Sequence, residues 1–290
     1  MTEVVAAEPV VETDEPIAVL APTPASRRDP VAKRVGPPLV VFAGFIALWY
    51  AYARFVLDEN GRKTALPYPH KVLTSFWDGK IGDQPWQLLS ALWVTFEVAI
   101  VGLVIAMAIG VTFAVLMSQA KWVETSFYPY AVFLQTVPVL ALVPLIGLLI
   151  GFGFWSRVLV CVIISLFPII TNTLFGLKSA DKGLHELFAL HNSSRKTKLI
   201  KLQLPAALPA MFTGFQISAG LSVIGAIVGG LFFQRGPRDL GNRILLYSSR
   251  LSPGELVAAI ILSALLGIVF FQFFGSLGQR LTRHWHQPVQ

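Results

Sequence analysis

Six stretches of this chain run for about twenty residues or more with almost no charge, at about 37–57, 88–117, 127–150, 158–177, 208–233 and 255–277. A helix rises about 1.5 Å per residue, so about 20 apolar residues cross the hydrocarbon core of a bilayer. No other feature limits the fold as strongly. Backbone groups in lipid have no water to bond to, so each stretch is predicted to be a helix. A barrel would alternate with period two, and these runs are continuous. Composition agrees: 54% of the residues are apolar and 13% charged, against about 25% charged in soluble domains. The single cysteine, Cys161, lies inside an apolar run, which excludes a disulfide scaffold. No GxxxxGK[ST] occurs, so the chain does not cradle ATP by that loop. The predicted fold class is an all-α integral membrane protein with about six transmembrane helices. The 88–117 stretch exceeds what a bilayer needs, so it is tilted or projects into water.

An even number of spans puts both termini on one side. Arg27, Arg28, Lys33 and Arg34 precede the first span, and Arg280 and Arg283 follow the last. Between the fourth and fifth spans stand Lys178, Lys182, Arg195, Lys196, Lys198 and Lys201. The positive-inside rule makes these regions cytoplasmic, with that dense loop carrying most of the weight. The other side holds Arg62, Lys63, Lys71, Lys80, Arg157, Arg235, Arg238, Arg243 and Arg250, so the bias is modest. The net charge of +7 suits anionic lipid headgroups rather than nucleic acid, since no soluble basic domain carries it.

The chain then reads as an acidic, Pro-rich disordered cytoplasmic tail (1–35), a first span (36–57), and an external loop (58–87). A transmembrane core follows (88–278), then a short cytoplasmic tail (279–290). The tail lacks the early apolar core of a signal peptide. Within the external loop, a Pro-punctuated turn at Leu66–Pro69 starts a short interfacial helix reaching Trp77, with Trp77 and Trp86 near headgroups. A second external segment (234–254) opens with a turn at Arg235–Gly241 and continues into a short helix around Ile244–Tyr247. The 179–205 segment is longer than a connector needs. Leu184, Leu187, Phe188 and Leu190 share roughly one helical face. His191-Asn192-Ser193-Ser194 breaks the pattern, with Asn192 suited to a left-handed turn. A second amphipathic stretch, 195–204, ends at Pro205. Two short helices and a sharp turn make a cytoplasmic knob on which something docks.

This hairpin resembles the signature loop of ABC importer permeases. Glu186 begins the match, Ala189 lies inside the first helix, and Leu202-Gln203-Leu204-Pro205 closes it. Asn192 stands where the family has Gly, and Leu187 and Phe188 replace two alanines. Phe133-Leu134-Gln135-Thr136-Val137-Pro138, Ala141, Pro144-Leu145 and Gly151-Phe152-Gly153 resemble the third-span motif of the nitrate/sulfonate/taurine-type group. Phe167-Pro168, Asn172-Thr173, Gly176-Leu177 and Asp181 resemble its fourth span. Leu204-Pro205-Ala206-Ala207-Leu208-Pro209 with Thr213-Gly214 resembles its fifth, and Leu66-Pro67 with Pro69 and Val72-Leu73 its external motif. The resemblance covers about residues 60–278, and it is the order and spacing of the motifs that is specific. It departs where the group often has Arg at the positions of Gln135 and Gln216, Glu near Gly230, and Gly at Asp239. Those positions line or flank the expected pore.

The resemblance implies a type I ABC importer permease fold with a cytoplasmic coupling-helix hairpin. It implies a bacterial inner-membrane protein that passes a small organic or oxyanion solute by alternating access. Two ABC ATPase subunits, a second permease copy (identical or homologous) and an extracytoplasmic solute-binding protein are the implied partners. No cofactor is expected on this chain; ATP and Mg belong to the ATPase. Glu186, Leu187, Phe188, Ala189, Leu190 and Asn192 are the expected coupling residues. Glu186, if near a helix start, would suit the helix dipole, or would pair with a basic residue of the ATPase groove, and the apolar side chains would supply the docking contact.

Polar side chains at membrane depth are costly and face the interior. Gln135, Thr136, Asn172, Thr173, Gln216 and Ser222 are therefore candidates for the translocation path, with Ser165 and Ser218 beside them. Interhelical hydrogen bonding is the competing role for each Ser and Thr. Glu97 is expected to be a structural pair or near water rather than a transport residue. Pro138, Pro144 and Pro168 are expected to kink their helices. His185, His191, His284, His286 and Cys161 show no metal-ligand spacing, and no Ser has a placed base, so no metal site and no catalytic chemistry are expected. A secondary transporter or channel working without an ATPase is the alternative, disfavoured by the scarcity of charges in the spans. Absence of the two arginines favours a neutral or aromatic solute, and the external basic residues pull the other way.

Overall fold

A computed structural model describes residues 31–59, 61, 65–78 and 85–283. The expectations for the tail up to residue 30, for His284 and His286 and for the side chain of Trp77 lie outside the described residues. The chain divides into two units, residues 1–48 and 49–290. The first unit holds most of helix α1, Val31–Phe55. This helix starts ahead of the apolar stretch and carries Pro37 and Pro38 inside it, so the tail boundary expected at 35 falls within a helix. Leu39, Val40, Val41, Phe42, Phe45 and Leu48 are all more than half exposed, as suits a helix bathed in hydrocarbon.

The second unit contains α2 (Pro69–Asp78), α3 (Pro85–Gln119), α4 (Lys121–Thr136), α5 (Val139–Ile150), α6 (Phe154–Lys178) and α7 (Lys182–Leu190). After these come α8 (Arg195–Lys198), a π-turn (Leu199–Gln203), α9 (Leu204–Phe232), α10 (Leu240–Ser249) and α11 (Pro253–Thr282). No strand occurs among the described residues. Five helical segments are long and apolar enough to cross a membrane singly: Gly36–Phe55, Trp86–Gln119, Phe154–Lys178, Arg195–Phe232 and Pro253–Thr282.

The sixth expected span is not one helix. The 127–150 stretch is two, α4 and α5, bent by 98° at the break. Pro138 is the cause. It has no N–H to donate, and it pushes the preceding Val137 to an extended ψ of 127°. The pair still makes one crossing. At its start, Glu124 pairs with Lys178 at the end of α6. Just past its end, the carbonyl of Phe152 accepts from the N–H of Arg235 (3.1 Å), and Phe152 precedes the start of α6. Pro144 and Pro168, also expected to disturb their helices, lie inside α5 and α6 without interrupting them.

The core is α6 against α9. A Cβ added at Gly225 would meet Cys161, at Gly229 Arg157, at Gly214 Pro168 and Asn172, and at Gly176 Ala207. Partner numbers fall as position rises, so the two helices run antiparallel, and small residues let their backbones close up. Ser218 Oγ donates to the Ser165 carbonyl (2.8 Å), and Ser165 Oγ donates back to the Ser218 carbonyl (3.2 Å). α3 runs parallel to α6, with Gly102 facing Cys161 and Gly110 facing Ile169. α11 lies antiparallel on the other side of α9, with Gly275 against Gln216 and Gly278 against Phe212. In that register Glu97 is level with Ser156 in the first turn of α6, so α3 projects about three turns past the start of α6. Glu97 is exposed on a helix that stays packed beyond it, where Leu88 and Ala91 are buried.

Candidate functional site

The hairpin is a short helix, a tight turn and a long rod. Asp181 caps α7, its carboxylate accepting from the Gly183 N–H (2.6 Å). α7 ends where Asn192 turns left-handed at φ 46°. There the N–H of Ser193 bonds the Phe188 carbonyl (3.0 Å) and that of Asn192 bonds the Ala189 carbonyl (2.9 Å). This pair of hydrogen bonds is the Schellman closure, and Asn serves there because it tolerates the left-handed region. Ser194 Oγ then caps α8, accepting from the Thr197 N–H (3.2 Å).

Two expectations are corrected here. Glu186 does not start a helix. It lies in the middle of α7, and Asp181 holds the helix start. The second hairpin helix does not stop at Pro205. Leu199–Gln203 widens into a π-turn, with the Leu204 N–H reaching back to the Leu199 carbonyl. That spacing absorbs the missing N–H and the ring of Pro205, so Arg195–Phe232 is one continuous rod of 38 residues, about 57 Å long. Leu184, Leu187, Leu190 and Ile200 are exposed, Leu190 at 81%. Glu186 and Ala189 are exposed as well, and Phe188 is half-buried. His185 is half-buried; burial, helped by nearby Lys198 and opposed by Asp181, holds its pKa below the usual histidine value.

The path candidates separate into three groups. Gln135 and Thr136 are exposed at the break between α4 and α5. Asn172 is half-buried, its amide donating to the Pro168 carbonyl (2.8 Å). Thr173 and Ser222 are fully buried, and Ser222 Oγ donates to the Ala219 carbonyl (2.8 Å). Both lie within the helix packing, and the Thr173 hydroxyl has no hydrogen-bond partner there. Gln216 is not with Asn172. Two residues on from Gly214, it points about 200° around α9, toward Gly275 of α11. There it borders a cleft of about 240 Å³ with Thr213, Phe212, Phe274, Gln279 and Thr282. Gln272, Ser276 and Gln279 form an exposed polar stripe on α11; their i, i+4, i+7 spacing was a readable signal in the sequence. A larger apolar cleft of about 730 Å³ opens between α3, α4 and α6, bordered by Phe113, Phe127 and Tyr130.

At the opposite end, Arg157 is 1% exposed and fully engaged. Its guanidinium donates to the carbonyls of Phe233 (2.7 Å), Arg235 (2.9 Å) and Pro237 (3.0 Å). Nη1 lies 2.9 Å from Asp239 Oδ2, an ion pair rather than an aligned hydrogen bond. Asp239 Oδ1 caps α10, accepting from the Asn242 N–H (2.8 Å). Arg243 is also buried, donating to Gln87 Oε1 (2.8 Å). Both arginines, counted along the chain among the external basic residues, are buried, and Asp239 is a structural anchor.

The family described as binding-protein-dependent transport system inner membrane component matches residues 102–283. The formylaminopyrimidine transport permease ThiX of Halalkalibacterium halodurans is 32% identical over 81% of this chain and 90% of its own length. The chain belongs to this family. It is an ABC importer permease, a multi-pass membrane protein. The permease is also 29% identical to the riboflavin transport system permease RibX of Chloroflexus aurantiacus, over 75% of this chain and 80% of that one. It is 26% identical to the putative aliphatic sulfonates permease SsuC of Bacillus subtilis, over 92% and 94%. In three dimensions it resembles a chain of the MetNI methionine ABC transporter in an inward-facing crystal form. That match has a TM-score of 0.56 at 19% identity, covering 70% of the permease and 98% of that chain. The family match begins at Gly102 and ends at Arg283, so it includes the bent pair, the hairpin and the Arg157–Asp239 anchor.

Proposed function

We propose that the hairpin of this permease seats in a groove of an ABC ATPase subunit and carries ATP-driven closure into the spans. The observation that carries this reading is the row of exposed apolar side chains, Leu184, Leu187 and Leu190, on a helix closed rigidly at Asn192. Exposed leucines outside the bilayer mark a partner surface. The rod from Arg195 to Phe232 makes displacement of the hairpin displacement of a span. The working particle is two permease copies, two ATPase subunits binding ATP and Mg, and an extracytoplasmic solute-binding protein. It sits in a bacterial inner membrane, with the hairpin and both termini cytoplasmic.

The path is lined by Gln135 and Thr136 at the broken helix and by Gln216 in the α9–α11 cleft. An interrupted backbone at membrane depth is tolerated where it is covered by protein or lines water. Named relatives carry a formylaminopyrimidine, riboflavin or aliphatic sulfonates. The cleft beside Gln216 offers amides, hydroxyls and phenyl rings without a charge, which suits a neutral, hydrogen-bonding solute better than a free anion.

The test is co-purification of the ATPase with Glu186→Lys and with Leu187→Asp/Leu190→Asp permease. Loss of the ATPase with the permease still folded is the expected result. Retained ATPase with undiminished ATP-driven uptake into vesicles would remove the proposal, as would equal uptake by the permease alone.

A further inference from the structure

Three charged groups, of which the sequence reading used only Lys178 and only for its charge, meet where the hairpin leaves the bundle. Glu124 Oε2 lies 2.6 Å from Lys178 Nζ and 3.3 Å from Lys121 Nζ. The Glu124 side chain is only 18% exposed, against 45% for Lys178 and 82% for Lys121. Glu124 sits in the first turn of α4 and Lys178 in the last turn of α6. A carboxylate at a helix start and an ammonium at a helix end each suit the local dipole. The pair therefore joins two helix ends that are already polarised toward one another.

What those ends lead to gives the pair its interest. From Lys178, Ser179 and Ala180 lead to Asp181, the cap of the hairpin helix. Ser179 folds back on α6, its N–H (3.1 Å) and hydroxyl (2.8 Å) both reaching the Gly176 carbonyl, so this junction is firm. From Glu124, three turns of α4 lead to Gln135, Thr136 and the 98° bend. Helices transmit displacement along their length because their packed cores do not compress. One charge contact therefore separates the hairpin base from the arm of the broken helix.

We infer that Glu124 is a positioning residue for transport, a strut that couples the hairpin, through Lys178, to the angle between α4 and α5. The inference rests on the hairpin being the ATPase contact. α9 is the direct arm of the hairpin, and the Glu124–Lys178 strut is a second arm acting on the opposite side of α6. Both arms are needed to move the two sides of the path together. Neutralising either partner leaves the ATPase docked and hydrolysing while the bend no longer follows.

The experiment uses the assembled transporter in vesicles, with solute imported per ATP hydrolysed as the readout. Glu124→Gln, Lys178→Gln and the double variant are compared with wild type, and Lys121→Gln is the control. Allosteric couplings run to about 5–150-fold. The expected result is a drop of about fivefold or more in that ratio for each single variant, with the ATPase still bound and its hydrolysis retained. The double variant should be no worse than either single, and Lys121→Gln should be near wild type. An unchanged ratio in Glu124→Gln or Lys178→Gln overturns the strut, as does a double variant whose loss is the product of the two singles. Loss of ATPase binding in these variants also overturns it, because it assigns the pair to docking. If wild type itself imports without ATP, the docking reading fails first, and that result appears before any variant is compared.

Discussion

At the scale of single residues, the most consequential pair is Arg157 with Asp239, each 1% exposed. Asp239 feels opposing effects: burial pushes its pKa up, while Arg157 and the cap bond pull it down. Removing one partner of a buried pair strands the other and costs about 3–5 kcal/mol. Asp239→Ala is therefore expected to lower the thermal midpoint of the purified permease sharply. Removing both charges with Arg157→Met/Asp239→Leu should cost less than the single change. Gly230 belongs to the same anchor, because a Cβ there would collide with the Asp239 carboxylate. On the hairpin, His185 has a lowered pKa, so folding disfavours its charged form. The sign follows: its neutral form supports the hairpin fully above the ordinary histidine value of about 6.5, and support is lost as pH falls below that value. The protection factors of the Phe188–Ser193 amides, with the base-catalysed intrinsic rate divided out, should fall between about pH 7.5 and about pH 5.5, and His185→Gln should flatten that dependence. Asn192→Gly should be tolerated, whereas Asn192→Val should cost about 1–2 kcal/mol for its left-handed backbone, read as hairpin exchange.

At the scale of elements, α6 and α9 hold the bundle together by closeness. At Gly225 an added Cβ would lie 2.8 Å from Cys161 Cα, and backbone cannot step aside as a flexible side chain does. Gly225→Leu should abolish folded, monodisperse protein, whereas Gly220→Ala, with nothing within 4 Å of its Cβ, should be nearly neutral in thermal midpoint. The broken pair depends on Pro138 in a different way. Pro138→Ala restores an N–H and frees Val137 to be helical. The expected outcome is a straighter α4–α5, reduced uptake and intact ATPase binding, measurable by vesicle transport beside co-purification. The π-turn at Leu199–Gln203 keeps hairpin and span in one rod.

At the scale of the whole molecule, crossings decide orientation. The bent pair counts once, because its ends lie at opposite ends of α6. With the five single helices this makes an even number. Cys161 is fully buried, so introduced cysteines can be labelled without removing it. Arg195→Cys is expected to react with an impermeant maleimide only from the cytoplasmic side, and Arg238→Cys only from the outside. The opposite pattern would reverse the topology.

The sequence alone determined that this is a membrane bundle of helices. Twenty-residue apolar runs have only one low-energy backbone in lipid, and that is a local property. It determined the hairpin too, because caps and turns such as Asp181, Asn192 and Ser194 act within a few residues. It did not determine which polar residues face a path. Gln216 and Asn172 look alike in a string, and they diverge because they pack against different neighbours. Nor did it reveal the Glu124–Lys178 and Arg157–Asp239 pairs. Their members lie far apart in the chain, and only the antiparallel packing of α6 with α9 and the return of the bent helix bring them within bonding distance.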